Sequence, residues 1–580
     1  MNRRYLIGLI VLLTSTVLAR AEQSLLSGDW LEKPSTHGAT AAGAEVQSVP
    51  VDGQPFKQAL RIQTSKQVPN AWSYELQLPN IEPIERGDVV LVTFYARSQG
   101  KHAVTQFAYQ RNAPDYQRSA AIPVDVDNQW QRFDVPFEAI ESYGVGKAVG
   151  VFWLGYPPQT IEIGGISITN YAKEKKLADL PRTSLTYAGR EADAPWRKEA
   201  DERIEKYRKG DIVINVVDQK GNSVSGADVS VQMRRHAFGF GSCVQAAWMN
   251  KDSPDADRYR QTIASLFNRV VFENDLKWTS WDRENLPAAI DWLHAHNIDI
   301  RGHNLIWPSW QWTPGWLQQF KNDKPGLSRA IAMHIEQMVS TYRGQLYDWD
   351  VVNELFSHHD ISDLLGPQAL AGWFQLARKN DPYVHLYIND FDILENGGHE
   401  EVHQQAYYDT IRSLLEQNAP LDGIGMQSHF GQRVTSPERL LEILNWYGSL
   451  GPMIEVTEFD VDTKDEQLQA DYLRDFLTVM FSHPKVDGFL MWGFWQKLHW
   501  RPDAAMFRTD WSEKPSAKVF KDLVFTKWWT DVAGKTDQHG TFSTRGFCGQ
   551  YEITATAGAQ KARLPASVSR DGLSLTLVLK

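Results

Sequence analysis

The sequence predicts a multidomain chain in which a (β/α)8 TIM barrel follows an all-β jelly-roll sandwich and precedes a small β extension. Three observations carry this. The chain has 580 residues, too many for one domain of ~100–200 residues and enough for a barrel of ~250 with others beside it. Residues 237–530 alternate apolar strand runs with helical stretches eight times, the arithmetic of a closed parallel barrel. Residues 23–170 instead carry short β-branched and aromatic runs broken by Gly, Pro and Asn, as a sandwich does.

Taken in order, residues 1–21 read as a signal peptide. Arg3 and Arg4 precede the apolar run Leu6 to Leu18, and Ala19-Arg20-Ala21 forms an A-x-A cleavage site. The run is short for a membrane span of ~20 residues, so export to the periplasm or the exterior is expected, with no membrane contact after cleavage. Within 23–170 the strand candidates include WSYELQLP, DVVLVTFYARS, WQRFDVPF and IEIGGISITNY. Residues 171–195 are charged and aperiodic, a linker. Residues 196–236 hold a charged helix and then a β-hairpin that leads into the barrel of 237–530. Residues 531–580 return to short β runs, too small to bury much core alone.

Composition removes several function classes. Sixty Lys and Arg against 71 Asp and Glu leave a net charge of −11, the wrong sign for a nucleic-acid binder. Two cysteines, Cys243 and Cys548, are too few for a cysteine metal site; two unpaired buried thiols are expected, although a disulfide between them is not excluded by spacing. No HExxH pair, Gly-rich phosphate loop or GxSxG elbow occurs, so no metal or organic cofactor is expected. Tryptophan is abundant, 22 in all, and suits either large cores or a wet surface for ring stacking.

Polar residues collect where the barrel strands end, and barrel chemistry sits at C-terminal strand ends. Glu273, Asn274 and Lys277 close the second strand, His303 and Trp307 the third, Asn353 and Glu354 the fourth. Asn389 and Asp390 close the fifth, Gln427 and His429 the sixth, Glu458 and Asp460 the seventh, and Trp492 and Trp500 follow the eighth. Glu354 and Glu458 thus face one another across a mouth, the arrangement that cleaves glycosidic bonds. One carboxyl must be protonated and the other ionised, so their surroundings must push the two pKa values apart. His429 and Asp460 are placed to hold Glu458 charged, and Asn353 to hydrogen-bond the sugar.

The motifs ENDLKW (273–278), WDVVNE (349–354), INDF (388–391), MQSHF (426–430) and EVTEFDV (455–461) together resemble glycoside hydrolase family 10, the endo-β-1,4-xylanases. The resemblance implies a retaining double displacement, with Glu354 as acid/base, Glu458 as nucleophile, and His429 and Asp460 in support. It also puts Glu273, Asn274, Lys277, His303, Trp307, Asn353, Gln427, Trp492 and Trp500 on sugar subsites, where amides and charges suit hydroxyls and indoles suit pyranose faces. The implied partner is a polysaccharide, xylan or a related β-1,4-glycan. The oligomeric state is not legible.

One departure stands out. Where the family carries His-Ser-Gln after Trp307, this chain has Pro308-Ser309-Trp310, so Trp310 is expected either to stack on a sugar or to narrow the groove. It leaves open hydrolysis of, or transfer onto, another β-1,4-glycan; a silent glycan-binding barrel is a further alternative. Residues 23–170 resemble family 4/9-type carbohydrate-binding modules, with Trp72, Tyr74, Tyr95, Tyr109 and Tyr116 as candidate stacking residues. For each of these five, core packing is the favoured alternative.

Overall fold

The computed structural model describes residues 22–100 and 102–580, and residues 1–21, read from the sequence as a signal peptide, lie outside the described residues. The described residues divide into two compact units that part between 185 and 186.

The first unit is a sandwich of two antiparallel sheets. One runs Glu45–Pro50, Gln58–Gln63, Thr160–Asn170, Val89–Ser98, Gln131–Glu138, with Gln23–Ser24 on the edge of Thr160–Asn170; the other runs Ser35–His37, Glu75–Pro79, Ala148–Trp153, Ala103–Arg111, Arg118–Val126. Alternation decides which side chains meet: Val90, Val92, Phe94 and Ala96 of one strand are all fully buried, because a period of two sends every second residue inward. Phe94 lies 5.0 Å from Phe133 and 4.9 Å from Phe152. Tyr74 and Tyr109 belong to this core with no exposure, which removes them as stacking residues; Trp72 and Tyr116 remain about half exposed.

In the second unit the hairpin before the barrel and the β runs after it form one module. Lys209–Val217 lies between Thr541–Phe547, antiparallel, and Leu573–Val578, parallel. Asp228–His236 lies between Asp531–Lys535 and Gly549–Ala557, which pairs in turn with Gln560–Val568. Neither segment has enough strands to stand alone, and each supplies edges that the other needs. Part of the linker is tied down as well: the Tyr187 hydroxyl donates to Asp475 at 2.8 Å, and Arg197 pairs with the same carboxylate at 2.6 Å.

The barrel strands are β1 (Gly239–Val244), β2 (Arg269–Phe272), β3 (Asp299–Gly302), β4 (Asp348–Asn353), β5 (His385–Asp390), β6 (Gly423–Met426), β7 (Met453–Val461) and β8 (Val486–Met491). All pair in parallel and in sequence order. The β1–β8 and β6–β7 pairings close the cylinder, and the two-residue strand His429–Phe430 pairs with the end of β7. Helices such as Lys324–Thr341, Gln368–Asn380 and Glu466–Ser482 intervene.

The barrel interior is charged where Val, Ile and Leu layers are the rule. Arg301 of β3 contacts Asp348 at 2.8 Å, Glu455 of β7 at 2.7 Å and also Asp350; Arg269 of β2 takes the other oxygen of Glu455. These side chains are at most 2% exposed. Burial pushes the Asp350 carboxyl up to about 7 against the pull of Arg301. Arg301→Met is expected to cost about 3–5 kcal/mol, because three buried carboxylates lose a shared cation. Urea unfolding measures this, and a loss below about 1 kcal/mol contradicts it.

Candidate active site

Eleven of the thirteen site residues expected from the sequence line one groove of about 630 Å³ at the C-terminal ends of the strands: Glu273, Asn274, Lys277, His303, Trp307, Glu354, Gln427, His429, Glu458, Trp492 and Trp500. Asn353 and Asp460 are not among its lining residues, and both are buried.

Glu458 extends from β7 and is 4% exposed. The Asn389 amide donates to its Oε1 at 2.9 Å, and His429 Nε2 lies 3.2 Å from its Oε2. Asn389 is oriented in turn by the Thr457 hydroxyl at 2.8 Å, and it donates to Asn353 at 2.9 Å. Gly425 on β6 makes room for it: a Cβ there would stand 2.4 Å from the Asn389 side-chain oxygen Oδ1. The far side of His429 meets Asp460 at 3.1 Å, and that carboxylate also accepts from Trp500 at 2.8 Å and contacts Arg501 at 3.1 Å.

His429 is therefore a cation between two carboxylates. Burial opposes its charge, but Asp460 and Glu458 raise its pKa to about 10. The Asp460 carboxyl, also opposed by burial, is held below the usual carboxylate range by His429 and Arg501. The folded-state value of His429 is above the ordinary 6.5, so its charge stabilises the fold fully around pH 6.5, while the Asp460 and Glu458 carboxylates are still ionised, and the contribution fades as pH rises through about 10. The thermal stability lead of the parent chain over His429→Gln is expected to shrink across that interval, while the imidazole signals of His429 stay those of a cation to beyond pH 9 in a nuclear magnetic resonance titration. Deprotonation near pH 6.5 contradicts this arrangement.

Glu354 follows β4 with φ at +53°, a left-handed conformation that non-glycine residues adopt mainly at special sites. Its N–H donates to the Asn389 carbonyl at 2.9 Å. Gln427 donates to Oε1 at 2.9 Å, and His358 Nδ1 lies 3.2 Å from Oε2. Burial raises the Glu354 pKa, yet His358 and Gln427 outweigh it and leave the carboxyl below its ordinary value. A general acid must keep a proton; in the free protein the neighbours of Glu354 favour the anion, and His358, one turn along the chain, is the main cause.

The remaining groove residues divide between wall and floor. Glu273 accepts from Gln245 at 2.7 Å, and Lys277 donates to Asn274 at 2.9 Å with its ammonium 5.4 Å above the Trp307 ring. His303 Nδ1 meets Asp350 at 2.9 Å, which ties the charged barrel interior to the floor. Burial lowers the His303 pKa to about 3, so the ring is neutral. Trp492 crosses His303 edge-on at 5.2 Å. Trp500, half exposed, forms the open side.

Trp310 does not line the groove; Trp312 does, stacked on Trp307 at 4.3 Å with planes 11° apart. Pro308 and Ser309 are tied down through Ile361 N–H to the Pro308 carbonyl, 3.0 Å, and Ser309 to Asp360, 2.9 Å, and the next turn brings Trp312 back. Sequence reading also passed over Trp278, Phe391, Asp392 and Glu395 as groove residues. Glu395 is the most buried of these, accepting the N–H groups of Ser428 and His429 at 2.8 and 2.9 Å and so holding the loop that presents His429. Among the described residues no helix is long and apolar enough to cross a membrane. Cys243, buried beneath the groove, and Cys548 are both unpaired.

Comparison with known proteins gives a consistent outcome. A family model described as Glycosyl hydrolase family 10 matches residues 231–523. The Anti-sigma-I factor RsgI6 of Acetivibrio thermocellus is 31% identical over 384 residues, covering 65% of this chain and 49% of that protein. Endo-1,4-beta-xylanase 1 of Arabidopsis thaliana is 28% identical over 390 residues, 66% of this chain and 40% of its own. The chain thus spans about half or less of the length of these relatives. The solved structure of xylanase 10B from Thermotoga petrophila RKU-1 in complex with xylobiose aligns over 50% of this chain and 95% of its own, with a TM-score of 0.46 and 24% identity.

Proposed function

We propose that this chain, which belongs to glycosyl hydrolase family 10, is an exported endo-β-1,4-xylanase that cleaves internal bonds of xylan with retention. One observation carries the reading: two carboxyl groups on opposite strand ends line one groove, each with a different set of partners. Glu458, gripped by Asn389 and backed by the His429 cation, is the nucleophile. It attacks the anomeric carbon, and the leaving oxygen takes a proton from Glu354. Arrival of the sugar strips water from Glu354 and favours its neutral form, against the pull of His358. The same carboxylate then removes a proton from water, which displaces Glu458 and restores the starting state. The orphan Nδ2 of Asn353, buried and without a protein partner, is a donor held for the sugar. Every step runs on carboxyl groups and water, with no metal required.

Xylan is favoured by the relatives named endo-1,4-beta-xylanase and by the indoles of Trp307, Trp492 and Trp500 on a groove rich in hydroxyl-matching groups. Export rests on the composition of residues 1–21. Product chromatography on xylan, arabinoxylan, mixed-linkage glucan and carboxymethyl-cellulose is the test. Xylo-oligosaccharides from the first two, with the β-anomer formed first, are expected. Equal or better cleavage of a glucan overturns the substrate, and binding without release of reducing ends overturns the enzyme.

A further inference from the structure

The catalytic groove does not end at β2. Asn274, Trp278, Thr279 and Ser280 form a wall shared with an adjoining cavity of about 940 Å³, and Trp278, Trp316, His334 and Gln337 are shared between that cavity and a third of about 800 Å³ along the helix Lys324–Thr341. All three are of the size of ligand sites, ~300–1,000 Å³, and they run into one another past the β2 and β3 strand ends.

The far trough is built around aromatic rings. Trp278 stacks flat on His334, 3.9 Å apart with planes at 6°. His334 is itself pinned by its Nε2 contact to the Leu305 carbonyl at 3.1 Å, and burial keeps it neutral, with a pKa of about 3. Trp278 is thus backed by a rigid ring and meets the edge of Trp316 at 6.1 Å. Trp316 is 52% exposed and Met333, on the same trough, 69%. The turn carrying Trp316, Gly315–Phe320, is anchored by the fully buried Leu317. A fixed but solvent-facing indole beside an exposed Met is an apolar patch without a partner in the fold, and such patches mark contact sites.

We propose that Trp316, with Trp278 behind it and Met333 beside it, forms an outlying sugar subsite that takes the stretch of polysaccharide running past the β2–β3 end of the groove. It rests on the reading of the groove as a glycan-cleaving site and extends it. An unbroken trough reaches from Asn274 to Trp316, so a chain long enough to leave the groove at that end meets the indole. The face of a pyranose ring is apolar while its rim is polar, which matches Trp316 flanked by Thr279, Ser280 and Gln337. The reading predicts chain-length dependence: only a long substrate reaches Trp316.

The test is kcat/KM of the full chain and its Trp316→Ala variant on soluble linear xylan and on xylotriose. The variant is expected to lose about five- to tenfold on the polymer, the equivalent of one aromatic contact, and to match the parent on xylotriose; Trp316→Phe recovers most of the loss. Equal kinetics on both substrates, or an equal loss on both, overturns the subsite while leaving the functional reading intact. A parent chain that releases no product from either substrate overturns the functional reading and the subsite's occupant with it.

Discussion

Glu458→Ala is expected to lower turnover of xylan by on the order of 10⁴–10⁶-fold, the scale on which a covalent nucleophile is lost. The groups around it have no second candidate to offer. Asn389 and His429 are both donors aimed at this carboxylate, and the His429 cation keeps its other partner, Asp460, when Glu458 is gone, so the site persists without its nucleophile. Azide supplied to the variant occupies the vacated space with the same charge. With an activated aryl β-xyloside it attacks the anomeric carbon, the phenolate departs, and the glycosyl azide has inverted configuration because one displacement replaces two. Unchanged xylan cleavage, or a β-configured azide, removes Glu458 from this role.

Glu354→Ala separates the two steps. Xylan has a poor leaving group, and its cleavage is expected to fall about 10²–10⁴-fold without the general acid. An aryl xyloside with an acidic phenol needs no proton to depart, so the first step survives. The glycosyl-enzyme then accumulates because no base activates water, and stopped-flow kinetics shows a burst of phenol followed by a slow steady state. The alkaline limb of the xylan pH profile disappears as well. In the parent that limb marks deprotonation of Glu354, whose pKa the contacts with His358 and Gln427 hold down. A uniform loss on both substrates, with no burst, assigns the acid/base role elsewhere.

The two carboxylates were legible because a closed parallel barrel puts the last residue of every strand on the same rim, so strand-end chemistry is read by position alone. Their opposed settings were only half legible. His429 and Asp460 each lie two residues past a groove residue of the same strand end, Gln427 and Glu458, and announce themselves as partners of Glu458. His358 reaches Glu354 only through the turn that follows β4, and the result inverts the expected direction of the Glu354 shift. Trp310 was the visible departure from the family pattern, but the tethers on Pro308 and Ser309 decide which indole faces the groove, and they select Trp312. Asn389 sat at a strand end like several others; nothing in its neighbours in sequence reveals that it alone spans from Asn353 to Glu458.

Periodicity and strand-end chemistry, which are local in the chain, determined that this protein carries a barrel, a sandwich and a pair of acids at facing strand ends. Long-range pairing decided the rest. The hairpin before the barrel and the strands after it became one module because each exposes edges whose partners lie beyond the whole barrel in the sequence. The barrel filled its centre with Arg269, Arg301 and Glu455 because those side chains neutralise one another only when β2, β3 and β7 face inward together. Such contacts depend on distances in space that have no counterpart in spacing along the chain.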